Sequence, residues 1–85
     1  MSRRVLVADD EKGVREALRQ LLEYEGAEVR TATSGAEALA AYQEFHPHLV
    51  LLDVKMAGMD GLETLTRIRD VDPRAHVVMI SGHGT

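Results

Sequence analysis

The apolar residues of this chain follow two different spacings. Two short runs, RVLVA at residues 4–8 and LVLLDV at residues 49–54, are almost continuously apolar. Such runs are typical of strands that are buried on both faces in the middle of a parallel sheet. Between and after these runs, apolar residues recur every three or four positions, which predicts helices. The repeated switch between the two spacings therefore predicts an alternating α/β fold.

Three helices are predicted from their apolar stripes and their end signals. The first has a stripe from Val14 to Leu22 and ends at Gly26, because glycine favours the backbone conformation that terminates a helix. The second and third each follow a spacing that resembles a capping box. The second helix has Ser34 and Glu37 as its cap pair and ends before Pro47. The third has Asp60 and Glu63 as its cap pair and ends before Pro73.

Two further strands complete the pattern. Residues 27–31 alternate apolar and polar side chains, which predicts a half-exposed edge strand. The segment from His76 to Ser81 contains VVMI and predicts a fourth strand. Helical crossovers between consecutive strands make a sheet parallel, so we predict four parallel strands joined by three helices.

Composition narrows the classes of function. With 85 residues the chain has room for one domain, and the absence of cysteine excludes disulfides, thiolate zinc sites and cysteine nucleophiles. The formal charge of −4 argues against direct binding of nucleic acid. The start of the chain has too few apolar residues for a signal peptide or a spanning helix. We therefore expect a cytoplasmic protein with no membrane association.

Three carboxylates are predicted to converge at one edge of the sheet. Asp9 and Asp10 follow the first strand, and Asp53 lies near the end of the third. Ligands of such sheets bind beyond the carboxyl ends of the strands. Because clustered like charges repel, we expect a cation there, and oxygen ligands of this kind favour Mg²⁺.

The segments that carry these acids resemble a known family. VADDE at residues 7–11, LLDVKMAGMDG at residues 51–61 and ISG at residues 80–82 look like the response regulator receiver domain of two-component signalling. The resemblance extends from Val5 to Thr85. VMISGHGT at the end is similar to receivers that precede σ54-dependent transcription activator domains. The resemblance implies a flavodoxin-like (CheY-like), doubly wound parallel sheet and an output that controls transcription.

The same resemblance implies a role for each site residue. Asp53 would accept a phosphoryl group from a histidine kinase or phosphotransfer protein. Mg²⁺ would bind Asp10, Asp53 and the backbone carbonyl of Lys55, with Asp9 bound directly or through water. The Ser81 hydroxyl would hydrogen-bond the phosphoryl group, and Gly82 would keep its approach open. Such a protein is a signalling switch and not an enzyme in the usual sense.

Each of these roles has a simpler alternative. Asp10, beside Glu11, would serve equally well as a cap of the first helix. Gly58 and Gly61 are explained by turn geometry. Two other functions also fit an acidic α/β domain: a phosphorylation-independent dimerisation module with a receiver fold, and a Mg²⁺-dependent phosphohydrolase. The hydrolase would need a DxD arrangement on the first strand, where this chain has adjacent aspartates.

The sequence reaches Thr85 shortly after the fourth strand. A complete receiver continues with helix four, strand five and helix five, and its phosphate-contacting lysine belongs on strand five. We therefore expect residues 1–85 to form a partial receiver domain. We also expect a homo-oligomer that assembles through the exposed edge of strand four, because an unpaired apolar edge recruits other strands.

Overall fold

Strands and helices alternate along the whole described chain. The computed structural model describes residues 3–56 and 58–80. Its elements in chain order are β1 (Arg4–Ala8), α1 (Lys12–Tyr24), β2 (Glu28–Ala32), α2 (Gly35–Phe45), β3 (Leu49–Asp53), α3 (Gly61–Val71) and β4 (Val77–Ile80). This order confirms the alternating α/β fold predicted from the two apolar spacings.

The described strands form one parallel sheet in the order β2-β1-β3-β4. The two apolar runs are its central strands and β2 is an edge strand, as predicted. This is the flavodoxin-like strand order. In the register of β1 and β3, Ala8 lies opposite Leu52. The residues that follow them, Asp9 and Asp53, are therefore neighbours at the carboxyl edge of the sheet.

The third strand ends one residue earlier than the sequence predicts. The run LVLLDV includes Val54, but β3 ends at Asp53. The amide of Val54 still donates to the carbonyl of Ile80, at 3.2 Å, whereas its own carbonyl accepts from the amide of Gly61, at 2.9 Å. This second bond turns the chain out of the sheet directly after Asp53.

Helices cover both faces of the sheet. α1 packs on β1 and β2, while α2 packs on the same two strands and also against α3. The main core lies on the α2 and α3 side, between these helices and the sheet. Its buried residues are Leu6, Ala8, Ala32, Ala38, Ala41, Tyr42, Val50, Leu52, Met56, Ile68 and Ala75. Within the described part of the chain, no helix has the length and apolar character needed to cross a membrane.

α1 is much less buried than its apolar stripe suggests. None of its residues, all of which are described, is fully buried. Leu21, which belongs to the predicted stripe, is 58% exposed, and Tyr24 is 86% exposed. α1 packs against β1 and β2, whereas α2 gains a second contact surface from α3. The stripe thus predicted the helix correctly but not the depth of its burial.

The predicted caps of α2 and α3 are present. The amide of Glu37 donates to Ser34 Oγ at 3.2 Å, and the amide of Thr33 donates to Glu37 Oε1 at 2.6 Å. At the start of α3, the amide of Glu63 donates to Asp60 Oδ1 at 2.8 Å. The bonds from the Glu37 and Glu63 amides satisfy donors that the first turn of a helix leaves without partners.

Gly35 at the start of α2 packs closely against Thr64 of α3. A Cβ at Gly35 would lie 2.2 Å from Thr64 Oγ1 and 2.8 Å from the carbonyl oxygen of Met59. Thr64 is buried, and its hydroxyl donates to the carbonyl of Asp60 at 2.8 Å. Because that bond and the backbone of Met59 hold the neighbouring atoms in place, the contact has no room for a methyl group.

We predict that Gly35→Ala lowers the free energy of unfolding by about 1–3 kcal/mol, the usual cost of overpacking. Gly13→Ala is the matched control, because a Cβ there has no neighbour within 4 Å and alanine favours a helix by up to about 1 kcal/mol. Urea denaturation of both variants measures the difference. Equal effects of the two substitutions would contradict the close contact.

Candidate functional site

Three aspartates meet at the carboxyl edge of β1 and β3. Asp9 and Asp53 are 0% and 1% exposed, while Asp10 is exposed. Each residue offers one carboxylate oxygen, and these oxygens all lie within 4.8 Å of one another. The convergence predicted from the ends of the two apolar runs is therefore confirmed. We call these three residues the carboxylate cluster.

Backbone and side-chain contacts fix the position of Asp9. Its amide donates to the carbonyl of Ala32 at 3.1 Å, and its Oδ1 accepts from the amide of Glu11 at 2.8 Å. Arg15 Nη1 donates to the carbonyl of Asp9 at 3.0 Å. Sequence reasoning missed Arg15, although its position one turn into α1 suits a contact with the loop that precedes the helix.

The Asp9 carboxylate is in an unfavourable environment for a negative charge. Burial raises the pKa of its carboxyl above the ordinary value of 3.8, and the nearby charges of Asp53 and Asp10 raise it further, while the hydrogen bond from Glu11 lowers it. Its Oδ2 is buried and has no hydrogen-bond partner among the described residues. A buried oxygen of this kind costs stability unless it is compensated.

Asp53 sits at the start of the loop that leads to α3. The amide of Lys55 donates to Asp53 Oδ1 at 3.3 Å. Lys55 itself is exposed, and the structure places it two residues beyond the carboxylate on this loop. The loop therefore orients Asp53 through its own backbone.

The simpler interpretation of Asp10 as a helix cap is not supported. α1 has Glu11 at its N-cap position, and no side chain forms a cap hydrogen bond there. Asp9 Oδ1, rather than Asp10, accepts the amide of Glu11. The Asp10 side chain instead faces the other two carboxylates, within 4.8 Å.

Gly61 has a role that its sequence context did not reveal. Turn geometry explains Gly58, whose φ is +77°, but it is the wrong interpretation for Gly61, the first residue of α3. A Cβ on Gly61 would lie 2.2 Å from the carbonyl oxygen of Asp53 and 2.8 Å from the Cα of Val54. Glycine is needed here because α3 starts directly against the backbone of the site.

The donor atoms of the cluster suit a hard divalent cation. All three side chains offer oxygen, which is what Mg²⁺ prefers, and Asp9 Oδ2 has no described hydrogen bond for a ligand to displace. Ser81 and Gly82, the predicted phosphoryl contacts, lie outside the described residues. The structure therefore bears on the carboxylates and on Lys55, and the roles of Ser81 and Gly82 stay predictions.

Comparison with known proteins agrees with this geometry. The family model for the response regulator receiver domain matches residues 5–85. The chain belongs to this family. It is a receiver domain of two-component signal transduction, and its flavodoxin-like sheet is the one that solved receivers share.

Three relatives illustrate the range of similar receivers. Sporulation initiation phosphotransferase F of Bacillus subtilis is 36% identical over 84 residues, which are 99% of this chain and 68% of that protein. The C4-dicarboxylate transport transcriptional regulatory protein DctD of Rhizobium meliloti is 36% identical over 94% of this chain and 17% of its own length. The response regulator TrrA of Thermotoga maritima, solved in complex with Mg²⁺-BeF, is 38% identical with a TM-score of 0.90, covering 96% of this chain and 71% of that one.

We predict that Asp9→Asn stabilises the receiver domain in Mg²⁺-free buffer at neutral pH, by about 0.5–2 kcal/mol in the free energy of unfolding. The folded pKa of Asp9 is raised, so the folded state loses stability as the pH rises from 3.8 through the folded value. The gain in the free energy of unfolding from Asp9→Asn should therefore become smaller as the pH falls toward 4.

Thermal unfolding in EDTA across this pH range measures the effect of Asp9→Asn. Asp10→Asn is the matched control, because the same change at an exposed carboxylate should give a smaller gain. A loss of stability in Asp9→Asn at neutral pH, with the control unchanged, would contradict the account of the Asp9 environment.

Proposed function

We propose that Asp53 is the phosphoryl acceptor of this receiver domain and that the donor is the phosphohistidine of a histidine kinase or phosphotransfer protein. The observation that carries the proposal is the position of Asp53. It lies at the end of a central strand, beside Asp9 and Asp10, with oxygens within 4.8 Å of theirs. Asp9 and Asp10 directly follow the neighbouring strand β1, so the fold itself holds the acceptor beside other acids.

In the transfer, an ionised oxygen of Asp53 forms a bond to phosphorus while the bond from phosphorus to the histidine nitrogen breaks. The electron pair of that bond stays on the imidazole, which takes up a proton. Phosphoryl transfer has a loose transition state, so positioning and charge stabilisation account for most of the catalysis. The amide of Lys55, which donates to Asp53 Oδ1, restricts the orientation of the attacking carboxylate.

We further propose that Asp9, Asp10, Asp53 and the backbone carbonyl of Lys55 hold Mg²⁺. The oxygen-only donor set and the buried Oδ2 of Asp9 support this assignment. When bound, Mg²⁺ neutralises negative charge on the transferring phosphoryl oxygens. Asp9 and Asp10 would thereby contribute to transfer by holding the cation beside the acceptor.

The transferred group would act as a switch signal and not as an enzymatic intermediate. We propose that the Ser81 hydroxyl hydrogen-bonds the phosphoryl group, with Gly82 leaving room for it, and that the output is transcriptional. Similarity to DctD, which its name describes as a transcriptional regulatory protein, supports that output. We also propose a cytoplasmic module that contacts proteins, and the charge of −4 argues against direct binding of nucleic acid.

Labelling with a small acyl phosphate donor tests the acceptor. We predict that the parent chain gains one phosphoryl group by intact-mass spectrometry in Mg²⁺, that EDTA suppresses the gain, and that Asp53→Asn abolishes it. Asp70→Asn, an exposed aspartate of α3, is the matched control and should label like the parent. A labelled Asp53→Asn variant would refute the site, and an inert but folded parent would favour the phosphorylation-independent dimerisation module.

We also propose that the 85-residue chain self-associates through the edge of β4. In the described sheet β4 pairs with β3 on one side, and Val78 is 48% exposed. Edge strands with apolar side chains recruit other strands, and a lysine there opposes pairing. Sedimentation velocity over a concentration series should show association of the parent and its loss in Val78→Lys.

Val71→Lys is the matched control for this experiment. Val71 is a comparably exposed valine, at 51%, but it lies on α3. The Val71→Lys variant should associate like the parent. A parent that remains monomeric at high concentration, or equal association of Val78→Lys and the parent, would remove the proposed edge contact.

A further inference from the structure

A basic cavity lies at the edge of the sheet opposite the carboxylate cluster. It has a volume of about 680 Å³ and opens where β1, β3 and β4 begin. The lining residues come from just before or at these strand starts, such as Arg4, His48 and His76, and from the ends of α2 and α3. Because the strands are parallel, this amino-edge cavity is separated from Asp9 and Asp53 by the length of the sheet.

Arginines outnumber carboxylates among the lining residues. Arg3, Arg4 and Arg74 line the cavity, and Asp72 is the one carboxylate among its lining residues. Three of the ten basic residues of a chain with net charge −4 therefore surround one concavity. Such a local excess of positive charge concentrates anions.

Asp72 offsets one of these three positive charges, because the hydrogen bonds from the Tyr42 hydroxyl and the Arg74 amide lower the pKa of its carboxyl and keep it ionised. The Tyr42 hydroxyl donates to Asp72 Oδ2 at 2.8 Å, and the amide of Arg74 donates to Oδ1 at 3.0 Å. Burial, and then the bond to Asp72, raise the pKa of Tyr42 to about 12. Tyr42 therefore stays neutral and adds no negative charge to the cavity.

Some hydrogen-bond donors around the cavity already have partners in the protein, and others are available to a ligand. Arg4 Nε donates to the carbonyls of Phe45 and His46, at 3.0 Å each, which anchors the guanidinium. The amide of Arg4 donates to His48 Nδ1 at 3.0 Å, so the hydrogen of the neutral ring is on Nε2. Arg3 and Arg74 are exposed and form no ion pair with a described carboxylate.

We propose that the amino-edge cavity binds a small phosphorylated anion. Its volume is in the range of small-molecule sites, and arginine guanidinium groups suit the paired oxygens of phosphate. Pro47 and Ala75 add an apolar wall. Nucleic acid is a poorer candidate, because it needs an extended basic surface and this chain has a pI of about 5.5.

Titration of ¹⁵N-labelled protein with tripolyphosphate in EDTA tests the site. We expect saturable shifts of the amides of Arg4, His48, Arg74 and His76, and none specific to Asp9 or Asp53. Orthophosphate and a nucleoside triphosphate form two further arms. Weaker binding of orthophosphate than of tripolyphosphate would show that the cavity contacts more than one phosphate group. Tighter binding of the nucleoside triphosphate than of tripolyphosphate would show that the apolar wall also contributes.

Arg74→Gln and Arg3→Gln should each weaken tripolyphosphate binding by roughly tenfold, as expected for a lost charge-assisted contact. Arg69→Gln is the matched control. It removes the same charge from an exposed arginine of α3 that does not line the cavity, and its affinity should stay within a factor of about two.

Three outcomes of the tripolyphosphate titrations would overturn the proposal. These are shifts that do not saturate, shifts confined to the carboxylate cluster, and an equal loss of affinity in Arg69→Gln and Arg74→Gln. Tighter binding of a short DNA duplex than of tripolyphosphate at equal phosphate concentration would also overturn it in favour of nucleic acid. The proposal does not depend on phosphorylation of Asp53, so failure of either leaves the other intact.

Discussion

The burial of negative charge in a cluster of three carboxylates at one edge of the sheet is the constraint on which the functional part of this structure depends. Asp9 and Asp53 are buried at adjacent strand ends, and Asp10 adds a third charge within 4.8 Å. Burial and these charges raise the pKa of Asp9. The arrangement is unfavourable for the protein alone and favourable for binding a cation, and this is why clusters of this kind indicate function more than stability.

The fold holds the carboxylates together because the strands that carry them cannot move apart. β1 and β3 are central, parallel and buried in the core, with Leu6, Val50 and Leu52 fully shielded from solvent. The apolar contacts of these strands offset the cost of the acids at their ends. Gly61 brings α3 directly against the carbonyl of Asp53, so the loop that follows Asp53 is attached to the same core through α3.

The sequence predicted the features that depend on short-range patterns. The two apolar runs identified the central strands, and the alternating residues 27–31 identified the edge strand. Ser34 and Asp60 identified the starts of α2 and α3, because a cap is a local hydrogen bond that the residue type itself favours. The convergence of Asp9, Asp10 and Asp53 followed from topology, since parallel strands present their carboxyl ends at one edge.

Features that depend on distant contacts were not predictable in the same way. The exposure of Leu21 depends on how much of α1 is covered by other elements. The apolar stripe of α1 does not indicate this. The end of β3 at Asp53 depends on the bond between Gly61 and Val54, and the need for glycine at 61 depends on how closely α3 approaches. The amino-edge cavity assembles Arg3, Arg4 and Arg74 from separate ends of the chain, so no local motif marks it.

The central claim is that the carboxylate cluster is built to hold a divalent cation. An amide NMR titration with Mg²⁺, run in parallel on the parent chain and on Asp10→Ala, tests it most directly. The account predicts saturable shifts in the parent centred on Asp9, Asp10, Asp53 and Lys55, and a much weaker response in Asp10→Ala. Spectra of the folded parent that do not change at millimolar Mg²⁺, or shifts spread evenly over exposed acids such as Glu28, would contradict it.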